Sequence, residues 1–300
     1  MALDRKEIKL VAIDVDGTLL NSQHEMTPRV EAALREAIAQ GVMVVFATGK
    51  TRNAVISHLK KLGIESPGIF NQGLIALDAD GKTIHSQTLD PGVARQVITF
   101  AEDRGFTLVA YSGSRMLTKT RSKVIEESFS TYHENPPEIV GALQNVLINT
   151  PINKVIAFGD PVGIKSLRWQ LNASLGGSAR LMQAGVPEHL EILPPGGSKG
   201  NALKVLCKHY KIAADQVMAI GDAENDIEML QFAGIGVAMD NADAKTKEAA
   251  KYVVASNDQD GVAEAFERFV LKPKPAPAAE KPAEPAAEKP AEAKKEEGAS

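Results

Sequence analysis

Apolar residues in this chain come in blocks. Ile8-Lys-Leu-Val-Ala-Ile13 and Val42-Met-Val-Val-Phe-Ala47 are nearly unbroken apolar runs, the pattern of strands buried on both faces of a parallel sheet. Val217-Met-Ala-Ile220, Gly236-Val-Ala-Met239 and Tyr252-Val-Val254 repeat the pattern further along. Between the first two runs, Pro28 to Gln40 has helical periodicity with Pro in its first turn. Thr51 to Leu62 has it again until Gly63 stops it. Strand, helix, strand, helix, strand from Ile8 to Phe70 predicts an α/β fold with a doubly wound parallel sheet. Leu74 to Ile84 reads as a hairpin turning at Asp80-Gly81.

From residue 87 to 190 the pattern changes. Helices are predicted near Gly92–Arg104, Lys123–Tyr132, Gly141–Ile148 and Ile164–Leu175, and strands near Phe106–Tyr111, Arg115–Thr118 and Lys154–Phe158, with two closing strands. That is enough for an α+β domain inserted into the first. The expected division is a core of residues 1–86 and 191–270 and an insert of residues 87–190. The hinges fall near Ser86–Gly92 and Glu191–Gly197. Beyond Leu271 the composition turns to Pro, Ala, Glu and Lys, which cannot build a core, so residues 271–300 are expected to be a disordered tail.

Candidate chemistry sits where the apolar runs end. Asp14-Val-Asp16-Gly-Thr-Leu-Leu20 follows the first run and so places two carboxylates at the carboxyl end of a strand, where open α/β sheets build their sites. There Asp14 can attack an electrophile while Asp16 protonates the leaving oxygen and later activates water. The plainer reading is an acidic turn on the surface.

This segment resembles the first motif of the haloacid dehalogenase (HAD) superfamily, and three further segments match in order. The second run ends in Thr48-Gly49, whose hydroxyl can donate to a phosphoryl group, although a helix N-cap is the ordinary alternative. Lys199 follows Pro194-Pro-Gly-Gly-Ser198 at the start of a helix expected over Asn201–Tyr210, where an ammonium and a helix N-terminus both favour anions. A lone Lys is otherwise a solvated side chain. Gly221-Asp222-Ala-Glu-Asn225-Asp226 follows the third run, and an acidic first helical turn would be its ordinary reading.

The resemblance implies a Rossmann-like HAD core, with residues 87–190 as the large cap of the Cof-type phosphatase branch. It also implies Mg2+ held by Asp14, the main-chain carbonyl of Asp16 and Asp222. Lys199 is then catalytic, Thr48, Gly49 and Asn225 contact phosphate, and Asp226 supports the site. Asn71, in Asn71-Gln72-Gly73 where the family often has Asn-Gly, is a further binding candidate. Where the family commonly continues Thr-Gly-Arg this chain has Thr48-Gly49-Lys50-Thr51-Arg52, so anion contact falls to Lys50 as a point charge or to Arg52.

The expected activity is hydrolysis of a small phosphorylated metabolite of the sugar phosphate, flavin mononucleotide or pyridoxal phosphate class, through a phospho-aspartate. A phosphosugar mutase and a non-enzymatic phosphometabolite-binding scaffold remain the alternatives. The acid at position 16 favours a phosphatase or mutase over pump-like chemistry, which lacks a proton carrier there.

Composition narrows the partners. A net charge of −4 over 300 residues gives no general attraction to nucleic acid or anionic membranes. The lone Cys207 excludes an intrachain disulfide, and the six scattered histidines show no zinc spacing. No membrane-length apolar segment or leader pattern is present, so a cytoplasmic protein is expected. Monomer and dimer remain equally open.

Overall fold

The computed structural model describes residues 7–63, 65–131, 134–183 and 186–272. Most of the expected tail, residues 273–300, and the last residue of the helix expected through Tyr132 lie outside them.

The chain opens with β1 (Leu10–Ile13), α1 (Pro28–Ala39), β2 (Met43–Ala47), α2 (Arg52–Leu62), β3 (Gly68–Phe70) and the hairpin β4 (Ile75–Leu77) and β5 (Thr83–Ser86). The next stretch holds α3 (Pro91–Glu102), β6 (Thr107–Ser112), β7 (Arg115–Thr118), α4 (Lys123–Thr131), β8 (Glu138–Ile139) and α5 (Leu143–Val146). It continues with β9 (Lys154–Phe158), α6 (Pro161–Leu175), β10 (Arg180–Met182) and β11 (His189–Leu193). The last stretch returns with α7 (Lys199–Tyr210), β12 (Val217–Gly221), α8 (Ile227–Phe232), β13 (Ile235–Met239), α9 (Ala244–Ala249), β14 (Tyr252–Val254) and α10 (Gly261–Phe269).

The first and last stretches share one sheet of order β14-β13-β12-β1-β2-β3-β4-β5. It is parallel from β14 to β3, and the hairpin adds the antiparallel edge. Strand order runs outward in both directions from β1, so the crevice beside β1 is the topological switch point of an open α/β sheet. The period of two explains both packed faces. Val11, Ile13, Val44 and Phe46 join α1, α2 and α10 in one apolar cluster. Leu10, Ala12, Val45 and Ala47 join α7 and α8 in the other. This is the doubly wound fold expected from the apolar runs.

The middle stretch forms a second sheet of order β10-β11-β9-β6-β7-β8. One face, with Leu108, Ala110, Val155, Ala157, Leu190 and Ile192, packs under α3 and α6. The alternate residues Tyr111, Ile156 and Phe158 form a separate cluster with Ile125 and Phe129 of α4. β11 keeps pairing with β9 and β10 as far as Leu193, three residues past the boundary expected at 190, because Leu190 and Ile192 complete this core. No helix among the described residues is long and apolar enough to cross a membrane.

Candidate active site

Asp14 leaves β1 with its N–H bonded to the Ile220 carbonyl at 3.0 Å, which ties the end of β1 to the end of β12. Gly17 turns the following loop with φ +79°, and a Cβ there would lie 2.5 Å from the Asp222 carboxylate. This is a close approach that only glycine allows. Thr18 then donates to Asp222 Oδ1 at 2.8 Å. The first and fourth motifs are thus held against each other by the backbone and one hydroxyl.

Lys199 is brought in by α7. Ser198 caps the helix by accepting the Asn201 N–H at 3.1 Å, so the helix starts two residues earlier than expected and Lys199 falls in its first turn. Its ammonium is buried and donates to Asp14 Oδ1 at 2.5 Å and to Asp226 Oδ1 at 2.8 Å. Asp226, fully buried, also accepts the Asp222 and Ala223 N–H groups at 3.1 and 3.2 Å.

Three buried or part-buried carboxylates therefore surround one ammonium. Burial works against the Lys199 charge, but Asp14 and Asp226 outweigh it and raise its pKa. Burial pushes Asp14 up as well, with Asp226 and Asp222 adding to it and Lys199 opposing. Asp222 is raised to about 6 by burial first and Asp226 second, against the Thr18 hydrogen bond and Lys199. A net negative charge held out of water is a cluster that a divalent cation relieves.

Oxygens of Asp14, Asp222 and Asp226 lie within 4.8 Å of one another. The donor set is hard and all oxygen, which suits Mg2+ or Ca2+ rather than a soft metal. Asp226 already serves Lys199 and two N–H groups, so Asp14 and Asp222 are the side chains with oxygen to offer.

Thr48 is buried at the end of β2, and its Oγ1 accepts the Lys50 N–H at 3.1 Å. The N-cap position of α2 belongs to Thr51, so the ordinary helix-cap reading of Thr48 fails. Asp16 pairs with Lys50 Nζ at 2.7 Å, with His24 Nδ1 at 3.7 Å. Lys50 lines the central cavity and Arg52 does not.

That cavity has a volume of about 300 Å3 and brings Asp14, Asp16, Thr48, Gly49, Asp222 and Asn225 together. Asn71 is absent from its lining, where its neighbour Gln72 stands instead. Successive left-handed residues, Asn71 at φ 50° and Gln72 at φ 61°, turn the first away and the second inward. The Asn71 amide donates instead to the Gly113 carbonyl at 2.9 Å.

Gln72 takes up the wall and links both layers. It accepts from Asn225 Nδ2 at 3.0 Å and donates to Glu191 Oε1 at 3.0 Å. Glu191 in turn pairs with the buried Lys154 at 2.6 Å, and Lys154 also donates to the Gly49 carbonyl at 3.0 Å. Sequence reasoning missed Gln72, Lys154 and Glu191. The usable signal was a lone acid at an alternate position of His189-Leu-Glu-Ile-Leu193.

The remaining wall comes from Tyr111, Ile156, Phe158 and His189 of the second sheet, Phe129 of α4 and Glu134 of the segment between α4 and β8. Burial raises the Tyr111 phenol and the Glu134 carboxyl and lowers the His189 imidazole.

With this geometry in place, comparison with known proteins is informative. Residues 11–266 match the family model of haloacid dehalogenase-like hydrolases. The phosphatase YwpJ of Bacillus subtilis is 31% identical over 278 residues, which covers 85% of this chain and 98% of the relative. The chloroplastic endoribonuclease YBEY of Arabidopsis thaliana is 37% identical over 281 residues, 90% of this chain, but the chain spans only 48% of that relative. A solved haloacid dehalogenase-like hydrolase from Bacteroides thetaiotaomicron superposes with a TM-score of 0.80 at 28% identity, covering 87% of this chain and 99% of its own.

Proposed function

The chain belongs to the haloacid dehalogenase-like hydrolase family, and from it we propose a Mg2+-dependent phosphomonoesterase that cleaves a small phosphorylated metabolite through a phospho-aspartate. The observation that carries this reading is the convergence of Asp14, Lys199, Asp226 and Asp222 at the carboxyl ends of β1 and β12, 2.5–2.8 Å apart through the Lys199 ammonium where they touch it. Three segments separated by up to 212 residues in the chain have no structural reason to bury so much charge together.

Asp14 attacks phosphorus, and the leaving oxygen takes its proton from Asp16, whose carboxyl is oriented by Lys50 at 2.7 Å. Asp16 then withdraws a proton from the water that opens the aspartyl phosphate, releasing inorganic phosphate. Lys199 neutralises charge on Asp14 and on the phosphoryl oxygens, and Thr48, the Gly49 backbone and Asn225 hold those oxygens. Asp226 fixes Lys199 and the loop that carries Asp222. Asp14, Asp222 and the main-chain carbonyl of Asp16 would hold Mg2+, which would supply positive charge against the phosphoryl oxygens. The second sheet closes the site from water, as a cap does in enzymes with a reactive covalent intermediate.

The test is a panel of phosphate monoesters assayed with Mg2+ and with EDTA. Free phosphate is expected only with the metal. Release that persists in EDTA contradicts the metal assignment, and an isomerised ester in place of free phosphate marks a mutase.

A further inference from the structure

Gln72 and Asn225 end in amides, which fit a site equally well either way round, so only hydrogen-bond partners decide whether oxygen or nitrogen meets a ligand. Here the partners leave one choice. An ammonium can only donate and a carboxylate can only accept, and Lys154 of β9 pairs with Glu191 of β11 at 2.6 Å, the lysine side chain being 2% exposed. Glu191 Oε1 therefore takes Gln72 Nε2 at 3.0 Å, which leaves Gln72 Oε1 on the other side to be met by Asn225 Nδ2, also at 3.0 Å. The direction set in the second sheet passes to the fourth motif.

Asn225 lines the cavity, yet its Oδ1 is buried with no hydrogen-bond partner, so the amide is oriented for its nitrogen and not for its oxygen. Nδ2 is then the amide atom that can meet a ligand. It carries two N–H bonds, one given to Gln72 and the other left for an anion. Gln72 itself is buried and stands at φ 61°, a strained backbone for any residue but glycine, of the kind that persists where neighbours over-determine it. A Cβ on Gly49 would lie 2.5 Å from Gln72 Nε2, so the side chain is also pressed against the second motif.

We propose that Gln72 and Glu191 are positioning residues for phosphoryl binding: with Lys154 behind them they form a relay of fixed polarity that keeps an Asn225 N–H turned toward the phosphoryl oxygens. The inference rests on the phosphatase reading, in which Asn225 holds those oxygens, and it gives the ion pair of the second sheet a part in that grip through Asn225.

Glu191→Gln tests the relay by reversing it. An amide at 191 gives its oxygen to Lys154 and so its nitrogen to Gln72. Gln72 then turns its nitrogen to Asn225, which brings its oxygen round to face the anion. With the full chain, Mg2+ and the phosphate monoester of the panel that is cleaved fastest, Glu191→Gln and Asn225→Ala are each expected to lower kcat/KM about tenfold. In the Asn225→Ala background, Glu191→Gln is expected to change kcat/KM by less than about twofold, because no amide is left to misdirect. Gln72→Met keeps the length without the amide. It is expected to lower kcat/KM about threefold and to be masked by Asn225→Ala in the same way, and so answers the question if Glu191→Gln does not fold.

A purely structural loss would carry through undiminished when Asn225 is gone. Equal factors in both backgrounds, no effect included, therefore overturn the relay and leave the phosphatase reading standing. Absence of phosphate release from every ester overturns the phosphatase reading. In that event the same variants are compared for binding of inorganic phosphate by calorimetry: weakening by Glu191→Gln or Gln72→Met that Asn225→Ala masks upholds the relay, and equal factors in both backgrounds, or no binding to the unaltered chain, overturn it.

Discussion

The two walls of the central cavity are built on opposite plans. The catalytic wall presents Asp14 and Asp222 from loops that each follow a strand end, with Lys199 and Asp226 joined to Asp14 through the Lys199 ammonium and Thr18 bonded to Asp222. The facing wall takes alternate residues of strands in a second sheet, and it is mostly rings around one ion pair, Lys154 with Glu191. The first plan concentrates charge, the second lays a mostly apolar surface opposite it, and Gln72 joins the two layers.

If the catalytic wall depends on its central ammonium, Lys199→Ala has the largest effect of the changes below. It removes the partner of two buried carboxylates, so a loss of about 3–5 kcal/mol is expected in denaturant unfolding without metal, together with loss of phosphatase activity. Unchanged stability would mean that water already shares those carboxylates.

The facing wall is probed next. Glu191→Leu leaves the Lys154 ammonium buried with 2% side-chain exposure, and on the order of 3 kcal/mol is expected to be lost. The double change Lys154→Met with Glu191→Leu removes both charges and is expected to recover most of that loss. A double variant as unstable as the single one would show that Lys154 matters through its bond to Gly49 rather than through its charge.

A pH series sharpens the contrast. Since Asp222 is raised to about 6, the folded metal-free protein holds its proton across a range where the unfolded chain has lost it. Stability from this group is therefore present below about pH 4 and falls as pH rises towards 6. Burial of Asp14 acts in the same direction. Added Mg2+ binds the carboxylate form and is expected to restore the melting temperature above pH 6 and to have little effect below pH 5. A melting temperature insensitive to Mg2+ at pH 8 contradicts the cation site.

The smallest effect sets the baseline. Arg268–Glu264 is a part-exposed i,i+4 pair at 2.8 Å that does not line the cavity, and Arg268→Ala is expected to change stability by less than about 0.5 kcal/mol and leave kcat/KM unaltered.

The two plans also explain what could be read from the amino-acid order. Asp14, Thr48 and Asp222 each stand within two residues of an apolar run, so strand prediction alone carries them to the same edge of one sheet. Lys199 required only a helix start. The facing wall offers no such local mark, because Lys154 meets Glu191 through the pairing of β9 with β11, and which strands pair is decided by the whole layer. Asn71 and Gln72 are successive left-handed residues of which only Gln72 lines the cavity, whereas the place of Asn71-Gln72-Gly73 where the family often has Asn-Gly drew attention to Asn71. The second sheet extended past residue 190 because alternate residues of β11 fill its core, which a linker reading of Glu191–Gly197 overlooked.

The central claim is that Asp14 is the nucleophile, and phosphate release by Asp14→Asn under saturating substrate and Mg2+ tests it most directly. The change keeps the side chain's size, so a folded protein is expected, with turnover reduced by at least about 10^4-fold. Folded Asp14→Asn protein that still releases phosphate at a substantial fraction of the wild-type rate would contradict the account.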